Sequence, residues 1–179
     1  MKLIIFIISI PICTDASSQH TIGIGPSLAI PANFTVKGRL GFGASLDYTY
    51  QLGKQSGLTV LAGYSYFPNE SPVPAKGLFY VRAGYKHSFV RRLSLSAEAG
   101  YGDAIYIGDN IDIHYPGLSF GSTMSYNLPV GAKRMIRPHV RLGFIQLHGR
   151  YVSDFWFQTF DIGFTYGFSF GRRTYSPNQ

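Results

Sequence analysis

Seven charged side chains of this 179-residue chain stand where every second residue is small or polar: Arg39, Asp47, Arg82, Lys86, Glu98, Arg141 and Asp161. Four bases and three acids enclosed together have two uses. They relay ions or protons along a path, or they neutralise one another as a filling in which each charge has a partner. The mixed order of signs along the chain favours the filling. It predicts an Arg–carboxylate network at mid-height among Asp47, Arg82, Glu98, Arg141 and Asp161. Such a network need not add net stability, because desolvation offsets the attraction.

Other chemistries lack their motifs. The five histidines, His20, His87, His114, His139 and His148, show no H-E-x-x-H pair and no other metal-ligand spacing. A phosphate-binding glycine loop and a G-x-S-x-G elbow are both missing. The sequence therefore implies no metal, no cofactor and no enzymatic activity.

The elements that must position the charges are strands. Over residues 159–170, Phe160, Ile162, Phe164, Tyr166, Phe168 and Phe170 alternate with Thr159, Asp161, Gly163, Thr165, Gly167 and Ser169. A period of two puts the sets on opposite faces. A soluble barrel would turn the bulky face inward and carry Lys and Glu outside. Here the polar face is narrow and nearly uncharged, which suits an interior. The apolar face then meets lipid, as in a transmembrane β-barrel. The same phase recurs in seven earlier segments, residues 21–31, 38–52, 58–67, 77–89, 93–106, 113–126 and 136–147. Residues 53–57, 90–92 and 127–135 read as turns, and the prolines of residues 68–76 exclude that stretch from a sheet interior. Residues 108–112 read as an acidic loop and residues 148–154 as the last connection. The expected fold is all-β, an eight-stranded antiparallel up-and-down transmembrane barrel.

Composition agrees. Aromatics make up 16% and charged residues 14%, against a usual ~25% charged. No apolar run approaches the ~18 residues of a membrane-spanning helix. The first 18 residues read as a signal peptide: Lys2, an apolar core over residues 3–12, and small Ala16 and Ser18 ahead of cleavage after Ser18. The competing reading, lipid attachment at Cys13, has the bulky Ile12 where a small residue is usual. The leader would take away the only cysteine, leaving residues 19–179 as one barrel domain without disulfides. The net charge of +7 fits an anionic membrane surface and, in an exported barrel, not nucleic acid.

With this pattern the chain resembles the small eight-stranded outer-membrane barrels of Gram-negative bacteria, of the OmpX, OmpA and OmpW type, over the whole of residues 19–179. The most specific piece is Asp161-Ile162-Gly163-Phe164-Thr165-Tyr166-Gly167-Phe168. It looks like the polar-x-Gly-x-x-aromatic-x-aromatic signal read by the barrel-assembly machinery, with Asp161, Gly163, Tyr166 and Phe168 at its marked positions. Many such proteins stop at a terminal Phe, whereas this chain continues to Gln179. Gln19 after the cleavage site is similar to exported proteins of Bacteroidota.

The resemblance implies a monomer in the outer membrane, surrounded by lipid and inserted with the assembly machinery. It places Lys54, Arg91, Arg92, Lys133, Arg134, Arg137, Arg172 and Arg173 at periplasmic ends. Glu70, Asp103, Asp109, Asp112 and Asp154 fall in outer loops, and rings such as Tyr48, Tyr66, Tyr85 and Trp156 in girdles at the two interfaces. The expected function is a plugged polar lumen with a structural or surface-binding role through the outer loops. The alternative is a narrow OmpW-like channel for small hydrophobic molecules or ions. A lipid-modifying outer-membrane enzyme is a third reading. It is disfavoured because His87-Ser88 falls at the periplasmic end and His114 lacks a Ser and acid pair.

Overall fold

Alternation with a period of two survives folding as nine antiparallel strands and, among the described residues, no helix. The structure, a computed structural model, describes residues 19–31, 40–68, 76–90, 92–107, 112–149 and 152–171. The strands are β1 His20–Pro31, β2 Gly41–Gln51, β3 Ser56–Tyr66, β4 Gly77–Ser88, β5 Leu93–Ile107, β6 Asp112–Tyr126, β7 Leu128–Pro129, β8 Arg134–Gly149 and β9 Val152–Phe170. Each long strand pairs with the next in sequence, β6 pairs with β8, and β1 pairs with β9. The ladder is thereby a closed eight-stranded ring, with β7 a two-residue bridge in the turn before β8. Closure leaves no strand edge to pair with another chain.

Three tight connections gather at one end with residues 19–20 and 170–171. Leu52 N–H donates to Ser56 O at 2.9 Å, Phe89 N–H to Leu93 O at 3.1 Å, and Val130 N–H to Arg134 O at 3.0 Å. Gly171 leaves β9 with φ of 110°, a left-handed backbone that favours glycine. The closing seam has one local flaw. Pro26 of β1 has no N–H to offer, and the β1–β9 register breaks off after Ile24↔Tyr166 and resumes at Ser27↔Gly163 in the same phase.

The outward face carries a band of apolar side chains, interrupted toward the loop end by Asp103 and His114. Ile24 is 60% exposed, Phe42 60% and Leu118 55%, with similar side chains on every long strand. That is far more continuous apolar surface than a water-soluble monomer tolerates. Against hydrocarbon it is the expected face. Rings flank the band. His20 stacks on Phe170 at 5.2 Å near the short turns, and Phe120 meets Trp156 at 6.0 Å toward the other end.

Two boundaries differ from the sequence expectation. Residues 148–154 were expected as a loop, yet β8 runs to Gly149 and β9 starts at Val152, with an irregularity between Leu147 and Gly149. Beyond the lipid band either polarity is compatible with pairing, so hydrophobic alternation fades before the ladder does. Residues 127–135, expected as a plain turn, contain the Leu128↔Ile136 and Pro129↔Met135 bridge. The expected leader, residues 1–18 with Cys13, lies outside the described residues.

Candidate functional site in the barrel lumen

The even phases of β4 and β5 and the odd phases of β2, β8 and β9 point inward, and they carry the lumen charges. From the loop end to the short-turn end the lumen has three layers.

The first layer is apolar. Ala29, Leu61, Phe67, Leu78, Tyr80, Ala104, Ile145 and Phe157 form one buried cluster, with Phe67 and Phe157 edge to face at 6.2 Å. The inner face is therefore not uniformly small and polar, as residues 159–170 alone implied. Leu78 shares its phase with Tyr80 and Arg82, and it was that phase, not the residue type, that carried the information.

The second layer is cationic. Arg82 is 1% exposed and Arg141 2% exposed. Arg82 Nε donates to Ser119 Oγ at 2.7 Å, and its guanidinium carbon lies 4.4 Å from the centre of the Tyr80 ring. Arg141 Nη1 donates to Tyr80 Oη at 2.5 Å and Nε to Thr123 Oγ1 at 3.2 Å. Tyr80 thus holds one guanidinium on its face and the other on its hydroxyl, a use of ring quadrupole and phenol oxygen together. Arg82 reaches across the barrel because β6 and β8 offer glycine there. A Cβ at Gly121 would collide with Arg82 Nη1, and one at Gly143 would lie 3.0 Å from Nη2.

The third layer holds the carboxylates of Asp47 and Glu98. Arg137 Nη2 donates to Asp47 Oδ1 at 2.5 Å, joining β8 to β2. Glu98 Oε1 accepts from Ser96 Oγ at 2.5 Å, and His139 Nδ1 meets Thr165 Oγ1 at 3.4 Å. Glu98 Oε2, Arg137 Nε and His139 Nε2 have no protein partner. All three residues line a cavity of about 30 Å³, which is roughly the volume of one water.

The expected Arg–carboxylate network is thus replaced by a different pattern. Among the described residues, the ion pairs within 4.0 Å are Arg137–Asp47 and His114–Asp103. Arg82 and Arg141 bond hydroxyls instead, although Arg141 is the register partner of Asp161. Asp161 is 2% exposed, and its Oδ1 has no hydrogen-bond partner. Directly opposed strand residues need not touch when each side chain leans along its own strand toward a nearer partner. Lys86 sits lower, near the short turns, and Arg39 lies outside the described residues. Arg137, expected at a solvated periplasmic end, is buried in the lumen at 4% exposure. The signal was present, since Arg137, His139 and Arg141 share one phase.

Below these layers the lumen opens at the short-turn end into a basin of about 260 Å³. The aromatic end of β9 borders that end. Tyr166 and Phe168 meet edge to face at 4.9 Å, and they pair in register with Ile24 and Ile22 of β1. Gly163 packs on the β1 backbone, where a Cβ would lie 2.5 Å from Pro26 O.

One site outside the lumen has catalytic residue types. His114 Nδ1 lies 2.7 Å from Asp103 Oδ2 on the outward face toward the loop end. His114 therefore has an acid partner, and of the Ser and acid pair whose lack was expected only the acid is present. Asp103 lies within β5 rather than in a loop, which brings it beside β6. The register neighbours of the pair are Phe79, Ile105 and Pro116, none of them a nucleophile. No group of three potential metal ligands occurs among the described residues.

The architecture is that of the small eight-stranded transmembrane barrels of bacterial outer membranes. Among solved structures, Neisserial surface protein A (NspA) matches with a TM-score of 0.69 at 13% identity, over 87% of this chain and 100% of that one. Ail, the attachment invasion locus protein of Yersinia pestis, matches with 0.61 at 17% identity, over 86% and 100%. Its backbone structure in a phospholipid bilayer nanodisc matches with 0.51 at 16% identity, over 86% and 99%. No protein-family model and no curated protein sequence matches the chain.

Proposed function

We infer that the chain is a non-enzymatic integral protein of the bacterial outer membrane, exported through the periplasm. Its lumen is plugged, and its role, structural or surface-binding, resides in the outer connections. The observation that carries this reading is the filling of the lumen. An apolar layer sits on a Tyr80–Arg82–Arg141 layer, and the cavity beneath is only about 30 Å³. The loops that would meet a partner, residues 32–39, 69–75, 108–111 and 150–151, lie outside the described residues. The barrel acts as a monomer, since a closed ladder needs no second chain. Lipid is its standing partner, and the segment from Asp161 to Phe168 is the part offered to the assembly machinery.

The second reading is a narrow channel for small hydrophobic molecules or ions. It draws on the basin at the short-turn end and requires the apolar layer to part. The third reading, a lipid-modifying enzyme, draws on the His114–Asp103 pair. It would appear as altered acylation of lipid A or phospholipid in expressing cells.

Planar bilayers separate the first two. Purified protein is expected to give no stable conductance. Discrete conductance steps that Arg82→Ala or Glu98→Ala alters would overturn the plugged reading. The barrel itself is tested on a detergent gel, where boiled and unboiled samples are expected to migrate differently.

A further inference from the structure

The basin of about 260 Å³ at the short-turn end is walled by Lys86, Arg92, Lys133, Arg134 and Arg137 and by no carboxylate. It is built where the start of β1 and the ends of β2 and β4 meet the turn before β5 and the turn, bridge and first residues of β8. Two features separate it from a scatter of solvated surface bases. Arg137 is buried at 4% exposure, its Nε lacks a protein partner, and its one ion pair engages only Nη2. Lys86, part-buried on the inner wall, makes no ion pair within 4.0 Å among the described residues. Like charges collected in a recess with low-dielectric walls focus a positive potential into it. The neighbouring polar lining, Thr21, Thr49, Gln51 and Asn127, supplies further hydrogen-bonding groups.

We propose that this basin is a binding site for a phosphate ester, entered from the short-turn end, which faces the periplasm in barrels of this architecture. A tetrahedral dianion accepts several charge-assisted bonds at once, which suits guanidinium and ammonium donors arriving from different strands. The volume admits a phosphate with a small polyol attached. The site is blind, because the Tyr80 layer and the apolar layer close the lumen above it, so its ligand is held rather than passed. The same chemistry has two sources, a soluble phosphate ester and the headgroup of an anionic phospholipid in the adjoining leaflet. The proposal does not depend on the role of the outer loops.

The test titrates glycerol 3-phosphate into the barrel purified in uncharged detergent, followed by calorimetry, with glycerol as the uncharged control. Saturable one-to-one binding is expected for the ester and none for glycerol. Lys86→Gln and Arg134→Gln should each weaken it about tenfold, the loss of one charge-assisted bond. Lys54→Gln, at the same end but outside the lining, should leave it unchanged. If Lys86→Gln fails to fold, Arg134→Gln and Lys133→Gln, both in the exposed turn region, carry the test. No saturable binding, or equal weakening by Lys54→Gln, overturns the proposal. Repeating the titration in nanodiscs distinguishes the sources. Equal affinity in phosphatidylcholine and phosphatidylglycerol assigns a soluble ester, and weaker affinity in phosphatidylglycerol assigns a lipid headgroup already competing for the site.

Discussion

Arg137 and Asp47 stand 90 positions apart in the chain, yet Arg137 Nη2 and Asp47 Oδ1 are 2.5 Å apart inside the barrel. β8 and β2 are not adjacent in the ladder, so the bond crosses the lumen and ties two walls together. Removing one partner leaves the other charge in the lumen without its hydrogen-bonded counter-ion.

Arg137→Met and Asp47→Asn should therefore each lower unfolding stability by about 3 kcal/mol, the lower end for a broken buried pair because a cavity adjoins it. The double variant should recover much of the loss. Denaturant titrations followed by the fluorescence of Trp156, the single tryptophan, provide the measurement. Strictly additive losses would show that the pair contributes nothing as a pair.

Gly121 and Arg82 should be coupled through space rather than charge. A Cβ at Gly121 meets the Arg82 guanidinium, so Gly121→Val should cost about 1–3 kcal/mol by overpacking. In an Arg82→Ala background the same change should cost much less. Equal costs in both backgrounds would place the strain elsewhere.

Two phenylalanines on one hairpin should respond differently to truncation. Phe157 is 3% exposed in the apolar layer, whereas Phe144 is 36% exposed on the outer face. Phe157→Ala leaves a void and should cost roughly 3–5 kcal/mol. Phe144→Ala exchanges ring for lipid tail, which is equally apolar, and should cost a small part of that. Chemical unfolding in lipid vesicles reads both, and equal losses would contradict a lipid-facing outer wall.

Depth should govern the cost of a charge on the outer wall. Leu46 lies between Ile24 and Ala62 in register, midway along β2. Leu46→Arg should cost about 2–4 kcal/mol. Leu52, in the first short turn, should accept Arg for roughly 0–1 kcal/mol. The comparison is made by refolding into vesicles, and similar costs at both positions would count against the assigned membrane band.

The sequence by itself determined the strands, their two faces and the barrel class. Residues two apart on a strand must share a face, and one face of this chain repeats apolar side chains with almost no charge. It also placed Asp47, Arg82, Glu98, Arg141 and Asp161 inside, because inward phase is a local property. Only the tertiary structure decided who meets whom there. Arg82 and Arg141 settle on Tyr80, Ser119 and Thr123, while the buried Arg–carboxylate bond falls to Arg137. Closing the ring fixes the stagger of eight strands at once and so sets which long side chains reach one another. The division of the lumen into an apolar end and a basic end has the same origin. Leu78, Ile145 and Phe157 read singly as interruptions of a polar face, and they become a layer only when closure brings them to one height.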